Sequence, residues 1–161
     1  MRSLRSRVEL IYDVCVIGSG MSGMAATLFA ANRGLTVLQV GSAGEILFAS
    51  GLLDLLGIHP IEKKKSWRDP WAGITALARD LPQHPYARIN QADIRAGFEE
   101  LVAFLNAKGL AYRHYKRRNQ EVVTSMGTTK MSYCLPQTMW NGAEAFRNKT
   151  PCLVVDFKGL K

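Results

Sequence analysis

Six residues constrain this chain more than any others. Gly18-Ser19-Gly20-Met21-Ser22-Gly23 reads G-x-G-x-x-G, and it stands between an apolar, β-branched run and a proline-free stretch of good helix formers. Val14, Cys15, Val16 and Ile17 have the composition of a strand buried on both faces of a parallel sheet. Residues 21–33 are mostly Ala, Met, Leu and Phe, and Gly34 follows where a helix C-cap places glycine. Thr36 to Val40 is apolar and β-branched again, so strand, helix and strand succeed one another within about 30 residues, the size of a βαβ unit. The predicted fold class is therefore α/β: a Rossmann-type FAD- or NAD(P)-binding βαβ unit with a parallel sheet and a right-handed crossover.

The spacing of the glycines carries the chemistry. Gly18 would permit the tight turn, Gly20 would let the backbone approach a phosphate, and Gly23 would let helix and strand pack closely. The free amides at the helix start, with the helix dipole behind them, favour an anion, and the hydroxyls of Ser19 and Ser22 are further donors beside Met21. The full pattern also places Asp or Glu at the end of the second strand to hold an adenosine ribose. Here that position is Gly41, followed by Ser42; Glu45 lies four residues beyond and reads as a solvated loop residue. The missing acid weakens the case for ordinary NAD or FAD and leaves room for FMN, which has no adenosine ribose.

Composition narrows the remaining choices. The chain has 161 residues, 47% hydrophobic and 21% charged, a balance that supports a core and argues against disorder. No apolar stretch reaches the roughly 20 residues of a membrane-spanning helix. Arg2, Arg5 and Arg7 precede an apolar segment, but Asp13 interrupts it, so it reads as a strand and not as a secretion signal. Cys15, Cys134 and Cys152 form neither a disulfide framework nor a metal spacing, which suits a reducing cytoplasm; Cys15 reads as a small core residue. The formal charge of +8 includes clusters at Lys63, Lys64 and Lys65 and at Arg113, Lys116, Arg117 and Arg118. These read as solvated faces, since no nucleic-acid module accompanies them. His59, His84 and His114 lack metal-ligand spacing, and Ser50 lacks a hydrolase nucleophile's context, so no catalytic acid, base, nucleophile or metal site is assigned.

Beyond the first unit, residues 41–58 predict a loop and a short helical turn. Asp69 before Pro70 predicts an N-capped helix carrying Trp71, Ile74 and Leu77 and ending before Pro82. Asn90 predicts a second, with Ile94, Phe98, Leu101, Val102 and Leu105 on one face and Gly109 closing it. Leu110 to Tyr115, Glu121 to Ser125 and Lys130 to Leu135 read as strands with a turn at Gly127 and Thr128, a small β-hairpin region, and Cys152 to Phe157 reads as a last strand. The expected organisation is a cofactor-binding part over 1–60, a helical segment over 61–109, a β-rich insertion over 110–150 and a further strand beginning at 151.

Several segments together resemble the B-subunit family of the anaerobic glycerol-3-phosphate dehydrogenases. They are Val16-Ile17-Gly18-Ser19-Gly20-Met21-Ser22-Gly23, Ala49-Ser50-Gly51-Leu52-Leu53-Asp54-Leu55-Leu56, His84-Pro85-Tyr86 and the segment from Pro151 to Lys161. The resemblance implies a flavin, FMN first and FAD as the alternative, and oxidation of sn-glycerol 3-phosphate to dihydroxyacetone phosphate with electrons passed to quinone. That family also lacks an acid at the position of Gly41. The resemblance places Gly18, Gly20 and Gly23 on the cofactor phosphate, and Ser50 and Gly51 in a loop that lines the flavin. It further implies a catalytic partner subunit, a membrane-anchored iron-sulfur subunit and a cytoplasmic location, or a peripheral one on the inner face of the cell membrane through those partners. Family members are much longer, so the chain is expected to be an N-terminal portion. A docking subunit with a degenerate nucleotide fold, and an NAD-linked dehydrogenase, are the competing readings.

Overall fold

The computed structural model describes residues 10–42, 49–151, 153, 155, 158 and 159. They fall into two compact units, 1–50 and 51–161. Glu45, the three N-terminal arginines and most of the strand expected over 152–157 lie outside the described residues.

The first unit is the expected βαβ. β1 (Val14–Ile17) and β2 (Val37–Val40) pair in parallel, Val14 opposite Val37 and Ile17 opposite Val40, with α1 (Met21–Asn32) between them in sequence. Asp13 staples the strand starts: its carboxylate accepts from the Thr36 amide at 2.8 Å and hydroxyl at 2.6 Å. Those bonds, the hydroxyl first and then the amide, hold the Asp13 carboxyl below its ordinary pKa of 3.8 against a small opposing effect of burial. Asp13 thus belongs to the fold, which is why it interrupts the apolar run. α1 ends in a Schellman turn: Leu35 donates to the Ala30 carbonyl and Gly34 to that of Ala31, and Gly34 takes the left-handed φ of +77° that this turn requires.

One expectation fails here. β1 is not buried on both faces. Val14, Val16, Val37 and Gln39 are half-buried on the helix side, whereas Cys15, Ile17, Leu38 and Val40 are exposed, Ile17 to 89%. Among the described residues the sheet has two strands and one helix to cover it, so only one face is shielded. Cys15, expected in a core, is exposed for the same reason.

The second unit owes its order to side-chain burial. α2 (Pro70–Asp80) starts as predicted: the Asp69 side chain accepts from the Trp71 and Ala72 amides at 3.0 and 3.2 Å, and Pro70 occupies the first turn. Such a cap contributes about 1 kcal/mol. Trp71, Ile74 and Leu77 are buried along one face. A short helix, α3 (Pro85–Arg88), and the Asn90-capped α4 (Gln91–Ala107) follow, and Gly109 beyond α4 has φ +82°.

β3 (Tyr112–His114) pairs antiparallel with β6 (Cys134–Pro136), and β4 (Gln120–Val123) with β5 (Thr129–Ser132) around a turn in which Gly127 has φ +74°. The single extended segment expected over 130–135 is therefore two strands, split at Tyr133 and directed to different partners. Tyr133 breaks the run because its ring is buried against Trp71, Phe98 and His114, with centroids 5.7, 5.2 and 5.1 Å away. The region expected to be β-rich also contains a helix, α5 (Gln137–Arg147). Val122, Leu135 and Ala143 form a buried cluster joined by Leu52, Met139 and Trp140, so α5 is the layer that covers these strands. No helix appears among the described residues of 41–58; Leu53 instead bridges to Cys134 and Ile58 to Ser66.

Candidate functional site

The glycine loop is built by backbone proximity. Gly18 donates to the Val40 carbonyl at 2.7 Å, which fastens the loop to the end of β2, and its φ of +122° is open to glycine and strained for other residues. A Cβ placed on Gly23 would lie 2.3 Å from the Gly18 carbonyl oxygen, so the third glycine is required by the approach of α1 to the loop. Gln39 donates to that same carbonyl at 2.9 Å, which leaves the carbonyl turned into the unit. Gly20 is the N-cap, with extended backbone and no side-chain cap, and the first turn of α1 carries no acid. The amides of Met21, Ser22 and Gly23 accordingly have no partner within the helix and form a positive end.

Gly41 explains its own missing carboxylate. A Cβ there would stand 2.7 Å from the Ser19 amide nitrogen, 2.8 Å from its hydroxyl and 2.9 Å from the Gly18 carbonyl carbon. The strand end and the loop touch, and the Ser19 hydroxyl donates to the Ser42 carbonyl. An acid at position 41 would displace the loop it was meant to assist. The residues present therefore fit the pyrophosphate of a flavin nucleotide, which needs amides and close approach, and the described residues place no carboxylate at the strand end for a ribose.

The other resembling segments are joined in the second unit. Gly51 has φ +74°, and its carbonyl accepts the Tyr112 hydroxyl at 2.7 Å; Leu53 and Leu55 are buried, while Asp54 pairs with Lys130 at 2.6 Å. His84 caps α3 by accepting from the Tyr86 amide, and Tyr86 donates to the Leu55 carbonyl at 3.2 Å. Burial, and then the Asp54 charge, push the Tyr86 hydroxyl above its ordinary pKa, so it remains a donor. The Tyr86–Leu55 hydrogen bond joins the two motifs within the second unit. Ser50 is the last residue of the first unit and Gly51 the first of the second.

The histidines are dispersed, each with its own packing or hydrogen-bond partner in the second unit. His59 is buried with its Nε2 3.1 Å from Asp80, and His114 packs on Tyr133. Burial pushes the Cys134 thiol up to about 12, which leaves it protonated and unsuited to nucleophilic work. Among the described residues no group of three or more His, Cys, Asp or Glu could hold a metal, and no helix is long and apolar enough to cross a membrane.

A polar network around Glu144 was not foreseen from the sequence. Its Oε1 accepts from Gln120 at 2.8 Å and from the Tyr115 hydroxyl at 2.9 Å, and its Oε2 from Arg147 at 2.6 Å; Arg147 also donates to the Tyr115 oxygen at 3.2 Å. Burial alone would raise the Glu144 pKa, but the bonds from Gln120 and Tyr115 and the charges of Arg147 and Arg118 outweigh it and hold the carboxyl below 4.5. The signal was available: Met139, Trp140, Ala143 and Phe146 recur at helical spacing and put Glu144 and Arg147 one turn apart.

Comparison with known proteins adds what geometry alone does not. The profile of the FAD-binding domain family matches residues 13–161. The anaerobic glycerol-3-phosphate dehydrogenase B-subunit of Pectobacterium atrosepticum is 29% identical over 126 residues, 78% of this chain and 30% of that protein. That of Haemophilus influenzae is 28% identical over 145 residues, 86% of this chain and 33% of that protein. The chain thus spans about 30% of the length of the curated relatives it matches. No solved structure gives a significant match. The family and the relatives' names support a flavin oxidoreductase, and the flavin they support is FAD; FMN, the first choice from the missing acid, is not supported. With its glycine loop, its βαβ unit and a family match over most of its length, this chain belongs to the FAD-binding domain family.

Proposed function

We propose that this chain anchors FAD in a subunit that oxidises sn-glycerol 3-phosphate to dihydroxyacetone phosphate, and that it works with a catalytic subunit and a membrane-anchored iron-sulfur subunit on the cytoplasmic face of the membrane. The observation that carries the cofactor part is the uncapped start of α1, held against the end of β2 by glycines that tolerate no side chain. FAD when bound would accept a hydride equivalent from the substrate and release electrons singly to the next carrier. The chain's own residues do the binding. The Met21, Ser22 and Gly23 amides would hold the pyrophosphate, Gly18 and Gly41 keep the loop close to the strand end, and the Ser19 hydroxyl is occupied by the Ser42 carbonyl and so shapes the loop. The relatives' names support glycerol 3-phosphate as the substrate and the presence of further subunits; the kind of each partner subunit rests on the family resemblance alone.

The test is to purify the protein with its partner subunits, release the bound nucleotide and identify it, and then add sn-glycerol 3-phosphate without oxygen. Stoichiometric FAD that bleaches on addition is the expected result. A complex that assembles without flavin would favour the docking reading instead, which the exposed apolar face of Cys15, Ile17, Leu38 and Val40 suits.

A further inference from the structure

A cavity of about 340 Å³ opens in the second unit between Arg68, just before the Asp69 N-cap of α2, the start of β4 and the end of α5. Four cations line it: Arg68, Arg118, Arg147 and Lys149. Arg147 is neutralised by Glu144, but Arg68, Arg118 and Lys149 have no carboxylate within ion-pair distance among the described residues. The four lining cations outnumber the one carboxylate among the lining residues, Glu121, so they repel one another, and an anion placed between them offsets that cost.

The Arg68 backbone and the Arg118 side chain are held in place. The Asn119 amide donates to the Arg68 carbonyl at 2.7 Å, and the buried Asn119 side chain donates to the Leu56 and Trp67 carbonyls at 2.8 Å each, which fixes the strand start beside Arg68. Arg118 lies over the Tyr115 ring at 4.2 Å, and the Tyr115 hydroxyl is tied to Glu144. Lys149 has a left-handed φ of +52°, immediately after the Asn148 C-cap of α5. Met131 and Phe146 add apolar wall, and Glu121 adds an acceptor whose Oε1 already takes the Thr129 hydroxyl at 2.8 Å. Guanidinium groups present planar donor pairs that match phosphate oxygens, and the apolar wall and the acceptor suit a short hydroxylated carbon body.

We infer that this cavity binds a small phosphomonoester dianion through Arg68, Arg118 and Lys149. It rests on the proposed function only where the phosphomonoester is taken to be that enzyme's substrate; the cluster of cations stands on its own geometry.

The test is calorimetric titration of the purified full chain with inorganic phosphate and, separately, with sn-glycerol 3-phosphate, comparing the wild type with the double variant Arg118→Gln/Lys149→Gln, with Arg68→Gln and with Arg88→Gln. Arg88 lies on α3 and does not line the cavity. The expected result is saturable binding that the double variant weakens about tenfold or more and Arg68→Gln weakens less, with Arg88→Gln unchanged. Tighter binding of sn-glycerol 3-phosphate identifies an organic ligand, and equal affinities show that the phosphate group alone is read. Absence of binding by either ligand, or equal weakening by Arg88→Gln, overturns the inference. The readout needs no flavin. Binding without flavin reduction would therefore defeat the proposed function alone, and reduction with no calorimetric binding change in the double variant would defeat the cavity alone.

Discussion

The first unit has no fully buried residue among its described positions, whereas the second encloses Leu135 and Cys134 completely. Both are ordered, but by different means. In the first, strand, loop and helix are held by backbone groups that approach within van der Waals distance, which only Gly23 and Gly41 permit. In the second, α5 closes an apolar cluster over the strands, and polar side chains bind one another around Glu144. A site made of backbone is fixed by what cannot be added; a site made of side chains is fixed by what cannot be removed.

Substitutions that act on one unit and spare the other test this contrast. The largest effect is expected from Leu135→Ala, which removes a side chain with no exposure and should cost about 2–5 kcal/mol. Amide exchange should quicken through β4, β6 and α5 while α1 keeps its protection; equal loss in α1 would show that the two units unfold together. Gly23→Ala comes next. Its Cβ must displace the Gly18 carbonyl, at a cost of about 1–3 kcal/mol, and the same exchange measurement should show the loss confined to 14–40, with weaker flavin retention.

Gly41→Asp sharpens the comparison further. If the first unit lacked only a ribose-binding acid, the substitution would tighten FAD binding. The contact with Ser19 predicts weaker binding and a loss of about 1 kcal/mol or more, measured by flavin titration and denaturant unfolding. The smallest effect concerns pH. Glu144 has a lowered pKa in the folded chain, so the unfolded chain takes up its proton first as acid is added. Its contribution is complete above pH 4.5 and is lost as pH falls through the folded value. The wild type should lose stability over that range more steeply than Glu144→Gln, and parallel curves would remove Glu144 from the second unit's supports.

The two units also differ in how much of them could be read in advance. The first was legible because G-x-G-x-x-G encodes a local event: strand, turn and helix lie within one short segment, and each glycine answers a nearby steric demand. The caps at Asp69 and Asn90 were legible for the same reason, since a side chain two or three residues away satisfies the amides. The split of residues 130–135 at Tyr133 was not, because it depends on rings contributed by Trp71, Phe98 and His114. α5 had the right spacing but sat among strand signals, and only the strands it covers make its apolar face useful.

By itself the sequence determined the βαβ unit, the helix caps and the glycine loop, because short-range sterics and local hydrogen bonds decide them. It also determined that position 41 carries no acid, but not why. The tertiary structure decided the rest: which face of β1 is covered, that Gly41 is required by contact with Ser19, that Tyr86 joins two distant motifs at Leu55, and that cations from three separate segments meet in one cavity. Those outcomes depend on groups brought together across many residues of chain, and no local pattern carries that information.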